Sequence, residues 1–259
     1  MPLIVENAFI CGVDGLVQSG DQIWFHFQKY PWDLSCQEKN PGTGKHRRII
    51  ESRLRRGLPD PSETSLLSGT YHTGISPHIY SYYHLLTDLL PHLIEAPKNP
   101  VLVPEFMPQS FIEFLKQAHF EVKILPKVAV KVELLYIPEM DLPEWNYEKI
   151  KKIQTFFENL LPRNFQAGSN GSIPLNRIYV SRKLAVRRHL SNEDEFMPLL
   201  RKNNFRKVYL EKMTIMEQVE LFRTASHVIA AHGAGLTNVL FAPAEAKILE
   251  IRPELSSGQ

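Results

Sequence analysis

The sequence is short of cysteine: Cys11 and Cys36 are the only two in 259 residues. Two thiols cannot build a disulfide framework or a cysteine-rich zinc site, so a reducing compartment is expected and the chain is read as cytoplasmic. No apolar run reaches the length of a membrane span, which limits any expected membrane association to a peripheral one. The N-terminus, Met-Pro-Leu-Ile-Val-Glu-Asn, has neither a basic leader nor a long apolar core, so no signal peptide is expected. Excess charge is also missing. Thirty Lys and Arg stand against 28 Asp and Glu, a net +2 that gives no reason to expect a nucleic-acid partner. There is no Asp-x-Asp pair and no His-Glu-x-x-His, so the sequence requires no metal. There is no Gly-x-Ser-x-Gly elbow either, which argues against a serine hydrolase. What remains is an ordinary globular composition, with 43% hydrophobic residues, enough for one or two domains with real cores.

The most informative stretch that is present runs from His227 to Phe241, His-Val-Ile-Ala-Ala-His-Gly-Ala-Gly-Leu-Thr-Asn-Val-Leu-Phe. An apolar run to Ala231 reads as a buried strand, the glycines as a turn, and Ala234 to Asn238 as the start of a helix. Strand, glycine turn and helix together aim free backbone N–H groups at an anion. Gly233 and Gly235 would let a phosphate approach, and His232, Thr237 and Asn238 add donors. The stretch matches neither the dinucleotide fingerprint nor the phosphate loop. It is therefore an anion site of unspecified kind, or a tight turn whose glycines serve packing.

Upstream, Asp14-Gly15 predicts a hairpin between Ala8-Phe-Ile and Leu16-Val, and Gly20-Asp21 a second turn before Ile23 to Phe27. Residues Lys39 to Pro61 are polar and basic. They lack interleaved aromatics and so read as a solvated face, not a nucleic-acid surface. Leu66 to His72 predicts a strand, and Ile79 to Leu93 a helix ending near Pro91. On that helix His84 and Asp88 are four apart and share a face. They are either a hydrogen-bonded core pair or a general base with its orienting partner.

From Val101 strands and helices alternate, which predicts a doubly wound parallel sheet. The strands are Val101 to Val103, Val122 to Leu125 and Val132 to Ile137. The helices are Gln109 to Ala118 and Asn146 to Leu161. Pro162 to Pro174 is the best linker, and divides the chain into expected domains 1–165 and 175–259. Beyond it come strands at Arg177 to Ser181, Val208 to Leu210 and Lys247 to Ile251, and helices at Asn192 to Lys202 and Ile215 to Thr224. Asn192 with Glu195 and Thr214 with Glu217 predict capping boxes.

Ligands of such sheets sit outside the carboxyl ends of the strands. Three ends converge: Ser181-Arg182-Lys183 with Arg187 and Arg188 behind, then His232 to Asn238, then Glu250 before Arg252-Pro253. Cations and a helix mouth suit a diphosphate, and a carboxylate one strand away suits a ribose diol. Together they describe a nucleotide-diphosphate pocket.

The ordered set Ile178-Tyr-Val-Ser-Arg-Lys, Arg188-His-Leu-Ser-Asn-Glu-Asp-Glu195, Met216-Glu-Gln, Ala231-His-Gly-Ala-Gly-Leu-Thr-Asn238 and Leu249-Glu-Ile resembles glycosyltransferase family 61. Tyr83-His-Leu-Leu-Thr-Asp88 is similar to that family's aromatic-His-x-x-x-Asp segment. The resemblance covers roughly residues 66 to 252. It implies an α/β chain of two Rossmann-like domains facing a cleft, the GT-B type. It also implies inverting transfer from a nucleotide sugar to a glycan or other hydroxyl acceptor, as in capsular polysaccharide biosynthesis, with no cofactor beyond the donor itself. Arg182, Lys183, Arg188, His232, Gly233, Ala234, Gly235, Leu236, Thr237, Asn238 and Glu250 would contact the donor nucleotide. Asp88, or His84, would be the acceptor base. Members continue past the Leu-Glu-Ile strand, whereas this chain stops eight residues after Ile251, so a second domain short at its C-terminus is expected. A non-catalytic nucleotide- or carbohydrate-binding protein on the same scaffold is the alternative.

Overall fold

A computed structural model of the chain describes residues 3–11, 17–20, 22–25, 28–31, 64–74, 80–96, 98–126, 128–137, 147–161, 176–185 and 188–252. The Asp14-Gly15 turn, Asp21, the basic stretch from Lys39 to Pro61, the linker from Pro162 to Pro174, Arg187 and Pro253 lie outside them. The chain is mixed α/β with two sheets rich in parallel strands. Contacts group residues 1–80 and 84–145 into one compact unit, and residues 81–83 and 146–259 into another.

The first unit holds an eight-stranded sheet. Its strands are β1 (Leu3–Cys11), β2 (Val17–Ser19), β3 (Gln22–Phe25), β4 (Gln28–Pro31), β5 (Leu66–Thr73), β6 (Val101–Pro104), β7 (Val122–Leu125) and β8 (Ala129–Ile137). Their order is β4-β3-β2-β1-β8-β5-β6-β7. The last four are parallel to one another, as strand–helix alternation predicts. The first four form an antiparallel meander joined to β8. Phe9 pairs with Gln18 and Ile10 with Val17, so the predicted hairpin partners do meet. Val5, Ala8, Ile10, Val130, Val132, Leu135 and Ile137 point inward from β1 and β8, with the alternation interrupted where the pairing skips Asn7 and Glu133, and form the core with Leu102 and Leu125.

The helical segment expected to end near Pro91 runs on to Glu95. It comprises Tyr82–His84, a π turn Leu85–Leu89, and Leu90–Glu95. Pro91 lies at the start of the last piece, directly after the π turn. Just before it the pairing lengthens to i→i−5, with Leu90 N–H donating to the Leu85 carbonyl, so the proline ring is accommodated without a break.

The second unit holds a four-stranded, wholly parallel sheet: β9 (Asn176–Val180), β10 (Phe205–Val208), β11 (Ala225–Ala231) and β12 (Lys247–Ile251), in the order β10-β9-β11-β12. The helices Glu193–Lys202 and Ile215–Arg223 connect the first three strands, and Tyr147–Leu160 precedes them. Met197 and Leu200 of the first helix pack on Tyr179, which meets Phe196 edge-on at 5.6 Å. Phe157 of the helix Tyr147–Leu160 meets Phe241 at 4.9 Å, which is why that helix belongs to this unit. Two local expectations are corrected. The strand expected at Val208 to Leu210 is instead Phe205–Val208, followed by a 3-10 turn Leu210–Lys212. Of the two capping boxes, Thr214 with Glu217 is reciprocal. Asn192 makes no side-chain cap, because its φ of −105° and ψ of 24° hold it close to helical geometry, away from the extended backbone a cap needs.

Candidate functional site

After β10 the chain crosses back over β9 to build β11, so the strand order reverses between β9 and β11. The crevice of a parallel sheet opens at such a reversal, beyond the carboxyl ends of the two strands. Here those ends are Val180, followed by Ser181-Arg182-Lys183, and Ala231, followed by His232-Gly233. Each end extends its ladder by one residue. Ser181 N–H donates to Val208 O at 2.9 Å and His232 N–H to Ile251 O at 2.8 Å.

Arg182 lies across this reversal. A Cβ added to Gly233 would overlap Arg182 Nη1 and stand 3.0 Å from Cζ, so the glycine leaves the space in which the guanidinium lies. Burial pulls the guanidinium below its ordinary pKa; Glu211 opposes that shift and the charge of Arg188 adds to it. It remains a cation, since arginine stays protonated even when well below its usual range. Arg188 is exposed, in the left-handed region at φ 62°. Lys183 is exposed, with Nζ 3.6 Å from Asp194 Oδ2.

Beyond Gly233 the helix expected to start at Ala234 is a 3-10 helix, Ala234–Phe241, whose first bond runs from Leu236 N–H to Gly233 O at 3.0 Å. The N–H groups of Gly233, Ala234 and Gly235 therefore head the helix without a partner inside it. The two glycines differ in kind. A Cβ on Gly235 would meet Leu210 Cδ1 at 2.9 Å and Val180 Cγ1 at 3.9 Å, so this glycine serves packing of the turn on the sheet. Gly233, half-buried like Ala234 and Leu236, serves the cation.

Asn238, expected at the mouth, is fully buried. Its Oδ1 accepts from Tyr82 OH at 2.6 Å, and its Nδ2 donates to Gln218 Oε1 at 3.0 Å and Gly235 O at 3.2 Å. Gln218 in turn donates to Leu210 O at 3.1 Å. Asn238 thus holds the turn in shape. Thr237 is buried as well, and its hydroxyl has no hydrogen-bond partner among the described residues.

On the far side of β11, Glu250 bridges an imidazole and a guanidinium. Its Oε1 is 2.6 Å from His232 Nδ1, and its Oε2 accepts from Arg252 Nε at 2.6 Å. These hydrogen bonds, His232 first, hold the carboxyl below its ordinary value.

Sequence reasoning missed the most connected carboxylate among the described residues of this unit. Glu193, 5% exposed, accepts from Tyr179 OH at 3.0 Å, from Ser181 Oγ at 2.8 Å, and from Lys207 Nζ. Burial alone would raise its pKa, but the bonds from Lys207, Ser181 and Tyr179 outweigh this and leave it lowered. A signal did exist. Tyr179 on β9 and Ser181 just past its end are two apart, and Lys207 is the register partner of Tyr179, so two hydroxyls and an ammonium share one face of the sheet.

In the first unit His84 and Asp88 do meet, with Nδ1 2.6 Å from Oδ2. Thr87 Oγ1 donates to the other carboxylate oxygen, Oδ1, at 2.8 Å. Their side chains are 29% and 23% exposed, which leaves both within reach of a ligand. Among the described residues no group of three or more His, Cys, Asp or Glu side chains is arranged to hold a metal, and no helix is long and apolar enough to cross a membrane.

A sequence-family profile described as Glycosyltransferase 61 matches residues 82–249, well over half of the chain. No curated protein matches the chain significantly.

Proposed function

Because the chain belongs to glycosyltransferase family 61, and is therefore a glycosyltransferase acting on a sugar donor and an acceptor, we propose that it is an inverting enzyme of the cleft-facing, two-domain GT-B class. In this reading it moves a hexosyl or pentosyl group from a nucleotide-diphosphate sugar to a hydroxyl acceptor in polysaccharide biosynthesis, such as that of a capsule. It works in the cytoplasm, at most peripherally on a membrane, and without a metal. The observation that carries the donor half is Arg182 lying over Gly233 at the strand-order reversal of a parallel sheet. A diphosphate seated there would meet a guanidinium, the heading N–H groups of the 3-10 helix, and the charge of Arg188. Glu250 with His232 suits the ribose hydroxyls.

In the transfer the acceptor oxygen attacks the anomeric carbon from the face opposite the diphosphate. The bond from that carbon to the leaving oxygen breaks, and its electron pair remains on the diphosphate. Fixed cations and backbone dipoles stabilise that leaving charge as it forms. The acceptor proton goes to His84. A carboxylate at Nδ1 selects the tautomer protonated there, which makes Nε2 the basic nitrogen, and Asp88 is the orienting partner.

The test is a panel of nucleoside diphosphates in thermal shift, followed by turnover of the matching nucleotide sugar with a hydroxyl acceptor. A raised melting temperature with one base and transfer with inversion supports the reading. Tight nucleotide binding with neither transfer nor hydrolysis supports the non-catalytic alternative.

A further inference from the structure

Resting on the donor-site reading above, we propose that Glu193 is a positioning residue for donor binding, which holds Arg182 in place through Ser181. The connection is continuous in hydrogen bonds. Ser181 Oγ donates to Glu193 at 2.8 Å and accepts from Lys183 N–H at 3.2 Å, so one hydroxyl ties the buried carboxylate to the backbone on the far side of Arg182. Ala185 N–H donates to Arg182 O at 3.0 Å and closes the turn. Ser181 is 1% exposed, so water cannot replace either bond. Behind Glu193, Tyr179 and Lys207 fix the carboxylate from two neighbouring strands. The turn that carries Arg182 has no glycine and no proline to fix its course. Its shape is set by this serine and this acid. A simple ion pair between Glu193 and Lys207 would need neither hydroxyl, and would have no reason to lie under the turn. Arginine gains most from a fixed fork when it meets a diphosphate, because bidentate geometry is lost on small rotations. A loosened turn should therefore weaken phosphate contacts without removing the cation.

The experiment is a mutant cycle read by calorimetry with inorganic pyrophosphate and with the nucleoside diphosphate that stabilises the wild type. Ser181→Ala leaves the Glu193–Lys207 pair intact, Glu193→Gln removes the charge, and Arg182→Ala removes the cation. Positioning predicts that Ser181→Ala and Glu193→Gln each weaken binding by about tenfold, roughly one charged hydrogen bond lost. It also predicts that neither weakens it further once Arg182 is alanine. Losses that add fully in the double variants, or unchanged affinity in both single variants, overturn the proposal. A second arm needs no nucleotide. Phenylglyoxal modification of Arg182, followed by peptide mass mapping at a temperature where all variants are folded, should run several-fold faster in Ser181→Ala than in wild type. If the wild type binds no diphosphate while Arg182 is still protected through Ser181, the donor-site reading has failed and donor positioning with it. If binding is normal and the modification rate does not change, only the positioning proposal has failed.

Discussion

Asn238 accepts a 2.6 Å hydrogen bond from the hydroxyl of Tyr82, which lies 156 residues earlier in the chain. Burial pushes the Tyr82 phenol well above its ordinary pKa, so it stays a donor throughout the working pH range. Tyr82→Phe leaves the Asn238 amide oxygen buried with one donor fewer. The expected loss is about 1–3 kcal/mol of unfolding free energy, measured by urea denaturation. No change in midpoint would mean that water or another donor replaces the phenol.

Gly233 and Gly235 should respond differently to alanine. Gly233→Ala displaces the Arg182 guanidinium, so its effect on nucleotide-diphosphate binding should match that of Arg182→Ala, a loss of about 1.5–3 kcal/mol, with an added loss of stability from the φ of +159° that an L residue rarely adopts. Gly235→Ala pushes on Leu210 and should lower the melting temperature first, at a cost of about 1–3 kcal/mol for overpacking. Calorimetry and thermal melts on the two variants check this. The reverse pattern would return the phosphate approach to Gly235.

The pairing of His84 with Asp88 sets an order of kinetic losses. With His84 as base, His84→Gln should lower kcat by about 10²–10⁴ while donor affinity barely changes. Asp88→Asn should lower it by less, because the tautomer is disturbed while the imidazole remains. If Asp88 loses more than His84, the carboxylate is the base. A fall in melting temperature with activity tracking only the folded fraction would make them a core pair.

Glu193 and Lys207 predict a stability that depends on pH in a defined window. Glu193 has a folded pKa below its ordinary 4.5, so its contribution is complete above that value and fades as pH falls through the lowered one. Lys207 is shifted the other way: burial opposes, but the bond from Glu193 wins and raises it above 10.5. Its contribution is therefore complete below 10.5 and fades as pH rises through the raised value. Glu193→Gln should cost about 3 kcal/mol near neutrality, the low end for breaking a buried pair, because Lys207 keeps some contact with water. That difference from wild type should be flat from about pH 5 to 10 and shrink on either side. A difference that grows in acid would contradict the assignment.

Much of the fold is legible in residue order alone. Ala8-Phe-Ile pairs across its predicted hairpin, Lys247–Ile251 and His227 to Ala231 are short apolar runs that form strands, and Thr214 with Glu217 marks a helix start that the structure repeats. The strand–glycine–helix pattern also locates the turn at His232 to Asn238, because glycine and helix-start chemistry act over a few residues. The meander strand Gln28–Pro31 and the shift of β10 to Phe205–Val208 are not legible, since pairing partners decide them. Inside the site the division is sharper. The sequence names Arg182, Gly233 and Glu250 as neighbours of one crevice by strand order. Only tertiary structure decides that Asn238 faces inward to Tyr82 and Gln218, that Gly235 serves Leu210, and that Glu193 joins Tyr179, Ser181 and Lys207. The reason is physical. Periodicity and turn chemistry are local, whereas a buried polar atom takes its partner from whatever part of the chain packing brings within about 3 Å.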